Sequence, residues 1–253
     1  MENLLEMRPA LWNMMKPGAR KRSRRIDVPP GEMKHMAELI FQQLSLGVNV
    51  AYHNVEIVDN AVSSILEKLP PGEPLLRSIN GKRAEAFASN IVPFGMVETS
   101  NAWWQYWSNH RGQVNSDDVV TESFGLEIID AKTNVSATFY IQQILRRHVE
   151  DHRIVFVWSG YIEPFLFKGN RIRGVYYNEH SYVLIKPRTC EGEAITTLSS
   201  CETMTPQFLD PELRKDSTVV ELTKFLVSSM PSDILTWNEV VENLLLDQML
   251  QRR

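Results

Sequence analysis

Cysteine is close to absent. Cys190 and Cys201 are the only two in 253 residues, so a disulfide framework is excluded and at most one bridge can form. Facing each other in a hairpin they could pair; two free thiols in a reducing, intracellular setting is the expected state. No apolar run approaches the roughly 20 residues that a membrane-spanning helix needs. The first residues carry Glu2 and no apolar core behind a basic start, so no secretory signal is expected, and the nucleus or cytoplasm is the expected location. A glycine-rich phosphate loop, a nucleophile elbow and the kinase motifs are all missing. Histidine is scarce too, with six residues, and only His148 and His152 lie close in sequence. Their spacing suits a metal on a helix, but it straddles a turn between two strand-like stretches. No metal, no cofactor and no catalytic residue is therefore expected.

What is present is the composition of an ordinary globular protein, 43% hydrophobic and 23% charged, long enough to bury a substantial core. Charge is unevenly placed. The first 35 residues hold eight Lys/Arg against four Asp/Glu, leaving 19 against 27 for the rest. The excess sits in Arg20, Lys21, Arg22, Arg24 and Arg25, a cluster that can serve as a nuclear-import signal or a phosphate-binding arm. Pro17-Gly18 before it and Pro29-Pro30-Gly31 after it favour the plainer reading, a solvated and disordered basic tail over 1–32.

From Met36 to Leu69 apolar residues recur at helical spacing: Met36, Ile40, Leu44, Ala51, Val55, Val58, Val62, Ile65 and Leu69, with Gly47 in the one vacant slot. This predicts one long helix over 33–69, or two collinear ones weakened at Gly47, closed by Pro70-Pro71-Gly72 within an N-terminal segment of 33–72. Two readings stay open for its stripe: packing on its own domain, or a coiled coil that makes a homodimer through residues 36–69.

Past a short linker, "NAWWQYWSNH" (101–110) crowds Trp103, Trp104, Tyr106 and Trp107 into five positions. A short helix from about 97 to 108 would place Trp103 and Trp107 on one face. Three indoles left in water would forfeit a large burial energy, so that face is expected to anchor in the sheet, with Trp104 or Tyr106 free to rim an opening.

Then the period changes. Residues 119–130, 135–150, 153–164, 180–187 and 194–204 are rich in β-branched and aromatic residues with turn signals between them, which predicts an antiparallel meander with one strongly apolar face. Gly125 and Gly160 fall singly inside strands, where a lone glycine marks a bulge or a close approach. The end is helical again: Asp210-Pro211-Glu212 is a start signal, Leu222, Phe225, Leu226 and Met230 form one stripe, and Trp237, Val240, Val241, Leu244 and Leu245 form another beyond a break at Pro231. A sheet with one apolar face must curve over a partner, and the C-terminal helix is available. The fold class is thus α+β: a helix-grip of a curved antiparallel sheet on a long C-terminal helix, with an N-terminal helix before it.

Four segments resemble those of one family. "IVPFGMVETSNAWWQYW" is similar to a "TPFGLDAACEALW"-type stretch of the oomycete mating-specific proteins, "LRRHVEDHRIVFVW" to their "RRYVEEDRVVIVW", and "ENLLLDQMLQ" to their "ENVLLDQAL". "LIFQQLSLGVNVAYHNVEIVDNAV" resembles their pre-domain helix. Together these span about 36 to 250. The resemblance implies a START-like domain over 73–253 with a hydrophobic cavity beneath the C-terminal helix. Longer relatives carry a basic, leucine-zipper-like segment; here the Arg20–Arg25 cluster runs into Pro29-Pro30 instead, so nucleic-acid binding is not expected.

The leading functional expectation is a non-enzymatic module that binds a lipid or another apolar small molecule. Strand parity and the helix stripe nominate Phe139, Ile141, Phe156, Trp158, Leu184, Phe225 and Leu226 as cavity lining. The alternative is a nuclear regulatory protein, dimerising through the N-terminal helix, with a filled core and no ligand.

Overall fold

The computed structural model describes residues 21–26, 36–70, 72–79, 82–110, 113–116, 118–190 and 193–251. Ten strands form one antiparallel sheet in the order β1-β5-β6-β7-β9-β10-β3-β2, with β4 added to β5 and β8 to β7. They are β1 (Lys21–Ile26), β2 (Leu75–Ile79), β3 (Arg83–Val92), β4 (Gln113–Ser116), β5 (Val119–Asp130), β6 (Ser136–Val149), β7 (Ile154–Phe167), β8 (Asn170–Arg171), β9 (Val175–Cys190) and β10 (Glu193–Phe208). Among the described residues four α-helices accompany the sheet: α1 (Ala37–Leu66), α2 (Met96–His110), α3 (Ser217–Val227) and α4 (Met230–Gln251). The curved sheet wraps the C-terminal helices on its concave side, with α1 outside it. This is the α+β helix-grip architecture.

The central strands are apolar on both faces, because both faces are covered. On β7, Ile154, Phe156, Trp158 and Ile162 face the C-terminal helices, while Val155, Val157 and Tyr161 face α1. Such a continuous apolar run is what a doubly covered strand needs. α1 lays Ile40, Leu44, Val48, Val55, Val62 and Leu66 on the convex face. Its stripe is therefore buried against the chain's own sheet. Two residues of the expected seam, Met36 and Ile65, are exposed, while Val48 and Leu66, which lay outside it, are buried. Gly47, the vacant slot of the repeat, is a point of close approach to the sheet. A methyl group there would stand 2.8 Å from Ser159 Oγ and 2.9 Å from His180 Cε1.

Several expectations need correction. Lys21–Ile26, read as disordered tail, pairs along its whole length with β5, where Arg24 finds Glu127 and Arg25 finds Glu122 and the Phe124 ring; Arg20 lies outside the described residues. The linker after α1 contains the β2–β3 hairpin, which extends the sheet beyond β10. Ala84, Ala86 and Ala88 form its inward face, and alanine alternation carries little strand signal. The C-terminal element breaks as the Pro231 signal predicts, but at Ser228–Ser229, so that Met230 opens the second helix rather than closing the first. Asp210 caps only a short 3₁₀ turn, Pro211–Lys215, by accepting from Glu212 N at 3.0 Å. Asp216 caps α3 by accepting from Val219 N at 3.0 Å, and Pro231 stands in the first turn of α4, where it lacks no needed N–H.

Candidate functional site

The cavity lies between the concave face and α4. Its volume is about 310 Å³, the lower end of what small-molecule sites use. α2 supplies Tyr106 and Trp107, the sheet supplies Phe124, Phe139, Ile141 and Trp158, and the C-terminal helices supply Leu226 and Trp237. The aromatic wall is continuous: Trp107 meets Trp158 at 5.4 Å between ring centres, and Trp158 meets Trp237 edge-on at 5.2 Å. Trp103, one turn before Trp107, is fully buried against Phe156 at 6.1 Å. The indole cluster is thus an anchor through Trp103 and both anchor and wall through Trp107. Trp104 is half-buried beneath the Arg147 guanidinium.

Of the seven nominated lining residues, Phe139, Ile141, Trp158 and Leu226 stand in the cavity wall. Phe156 is one layer away, packed on Trp103. Phe225 is outside the wall as well, its ring against Phe167 and under the Lys21 ammonium. Leu184 faces the other way. It pairs with Val155 and packs beneath α1 with Leu44 and Val55. Its apolar neighbours Val183 and Ile185 point inward instead, so in a strand apolar on both faces parity cannot be read from hydrophobicity alone.

The polar end of the cavity was not legible as a site in the sequence. Glu179 on β9 and Glu202 on β10 both line it, with Asp233 of α4 above them. Glu179 Oε1 accepts from Trp158 Nε1 at 2.6 Å and from Ser181 Oγ at 3.0 Å. Gly160 makes room for it: a methyl group there would lie 3.0 Å from Glu179 Oε2, the close approach a lone strand glycine permits. Glu202 Oε2 is buried and has no hydrogen-bond partner among the described residues. Burial, then Asp233 and Glu179, push its carboxyl well above the ordinary carboxylate range, since each disfavours a charge there. The signal available in the sequence was an acid in phase with inward apolar residues, Glu179 with Tyr177 and Val183, and Glu202 with Leu198 and Met204.

The mouth is basic but internally compensated. Arg25 pairs with Glu122, which Gln143 also holds, and Arg24 pairs with Glu127 at 2.5 Å. Lys21 donates to the Phe225 carbonyl and to Ser228 Oγ at 2.6 Å, and burial lowers its pKa first of all. Arg22 is exposed. Elsewhere, His148 stacks on Tyr52 at 3.8 Å and His152 is exposed. Among the described residues no group of three or more His, Cys, Asp or Glu is placed to hold a metal. Cys201 is a free, buried thiol beneath α1, pushed up to about 12 by burial. The backbone register sets Cys190 opposite Glu193 and Cys201 opposite Tyr182, far apart on the strands. No described helix is long and apolar enough to cross a membrane.

No family model matches the chain, and no curated protein matches it. Solved structures do. A conserved protein from Geobacillus kaustophilus is 9% identical with a TM-score of 0.36, over 64% of this chain and 95% of that one. The human StarD13 (DLC2) lipid transfer and protein localization domain is 11% identical with a TM-score of 0.34, over 75% and 96%. The di-domain ARO/CYC StfQ of the steffimycin biosynthetic pathway is 11% identical with a TM-score of 0.34, over 67% and 53%. Likeness at these scores does not extend to the cavity or to its contents.

Proposed function

We propose that this protein is a binding module that holds a lipid or another small apolar molecule between the curved sheet and α4. The observation that carries this reading is the cavity of about 310 Å³ walled by Tyr106, Trp107, Phe139, Ile141, Trp158 and Trp237. Apolar ligand surface moved there from water gains about 25 cal/mol per Å², and rigid aromatic walls give that gain at little cost in side-chain freedom. The chemistry asked of the site is binding, with no step that makes or breaks a bond. The competing picture, a filled core with dimerisation through 36–69, has less to rest on, because the stripe of α1 is buried on its own sheet.

The test is solvent extraction of the purified protein followed by mass spectrometry, with titration of n-octanol into extracted protein followed by tryptophan fluorescence. Three of the six tryptophans wall the cavity, so occupancy should change the emission. An extract with no apolar compound, together with no saturable response to octanol, would remove the reading.

A further inference from the structure

Resting on that reading, we propose that the cavity selects an apolar ligand carrying a protonated amine, seated with its ammonium group at Glu202 and Glu179. Glu202 is 4% exposed, lines the cavity, and leaves Oε2 without a hydrogen-bond partner among the described residues. A buried acceptor left unmade costs free energy that a donor from the ligand recovers. The donor could in principle be a hydroxyl or an ammonium, and the surroundings decide. Glu179 on β9 and Asp233 on α4 face Glu202, and both disfavour its charge. Lys21 on β1 also lines the cavity, but its ammonium is already held by Phe225 O and Ser228 Oγ. An ammonium seated there favours the ionised carboxylate, so Glu202 releases its proton to solvent on binding and accepts a charge-assisted hydrogen bond, which a hydroxyl, leaving the acid neutral, does not provide.

The reverse orientation, an anionic head at the basic mouth, is disfavoured by the pairing of that mouth. Arg24 is held by Glu127 and Arg25 by Glu122, so a ligand carboxylate would have to displace an existing partner. The body of the ligand then lies along Trp158, Trp107 and Trp237, and the Trp158 N–H fixes Glu179 from below. Gly160 matters for the same reason, since a side chain there would push Glu179 off its seat.

Three probes of equal chain length separate the possibilities: n-octylamine, n-octanol and sodium octanoate, titrated by calorimetry into the extracted full chain and into Glu202→Gln. We expect octylamine to bind the parent at least about tenfold tighter than octanol, the gain a charge-assisted hydrogen bond supplies, and octanoate to bind most weakly. Glu202→Gln should bring octylamine down to the octanol level while octanol binding is retained, which also shows that the variant is folded. Octanol binding the parent as tightly as octylamine would overturn the amine assignment and leave the apolar cavity standing. So would octanoate binding best, or Glu202→Gln keeping the amine preference. Failure of all three probes to bind would overturn the cavity reading itself, and the amine assignment with it.

Discussion

The indole N–H of Trp158 donates to Glu179 Oε1 over 2.6 Å, between adjacent strands at the base of the cavity. The bond ties one of the three tryptophans of the wall to one of the two buried acids. Trp158→Phe keeps most of the wall and removes this donor, while the Ser181 hydroxyl still donates to that oxygen. Loss of one partner of a buried polar pair costs roughly 1–3 kcal/mol. Chemical denaturation should show that drop, and an unchanged midpoint would mean that the bond contributes nothing.

Gly47 gives a case in which helix propensity and packing oppose each other. Alanine is better in a helix by about 1 kcal/mol, but the added methyl would sit 2.8 Å from Ser159 Oγ and 2.9 Å from His180 Cε1. Overpacking typically costs about 1–3 kcal/mol. Gly47→Ala should therefore lower the melting temperature, and a rise would show that α1 can lift from the sheet freely.

Leu184 and Ile141 separate the two cores. Each Ala variant should destabilise the fold by about 2–5 kcal/mol. Only Ile141→Ala should change octanol affinity, because Ile141 walls the cavity and Leu184 lies under α1. A changed affinity in Leu184→Ala with Ile141→Ala unaffected would reverse the assignment of faces.

Trp103 is an anchor without access to the cavity. Trp103→Ala should cost about 3–5 kcal/mol, measured by thermal or chemical melting. A variant as stable as the parent would show that α2 does not need its indole against Phe156.

The half-buried His180 and the buried Glu202 give opposite pH trends. Burial, and then Arg83, lower the pKa of His180 below 6.5. The unfolded chain then binds the extra proton more readily, so stability falls as pH drops below about 6.5, down to the folded value. His180→Gln should flatten that acid limb. Glu202 is raised above 4.5, so its contribution is fully present below that value and is lost as pH rises through the folded pKa. Glu202→Gln should therefore gain stability relative to the parent as pH increases. Melting curves across pH check both, and parallel curves for parent and variants would contradict the burial of either group.

The helix-grip order was legible because its signals are local and periodic. The three–four repeat of α1, the alternation in β6 and β7 and the stripes around Pro231 each report one covered face. Trp103 and Trp107 could be read as buried because no soluble surface accommodates them cheaply. The β2–β3 hairpin was not legible, since Ala84, Ala86 and Ala88 gain their strand character only from the sheet and helix packed on either side. Nor was β1, because a basic segment declares itself a strand only where Glu122 and Glu127 stand ready on its neighbour.

The sequence by itself determined which residues leave water and with what period, because burial energy and backbone geometry act along the chain. Tertiary structure alone decided which side of the doubly covered sheet each of them faces. It sent Leu184 outward under α1 and Ile141 inward to the cavity. It also brought Glu179, Glu202 and Asp233 together from three separate elements, since a juxtaposition across strands and a helix depends on register and curvature, which no local pattern encodes.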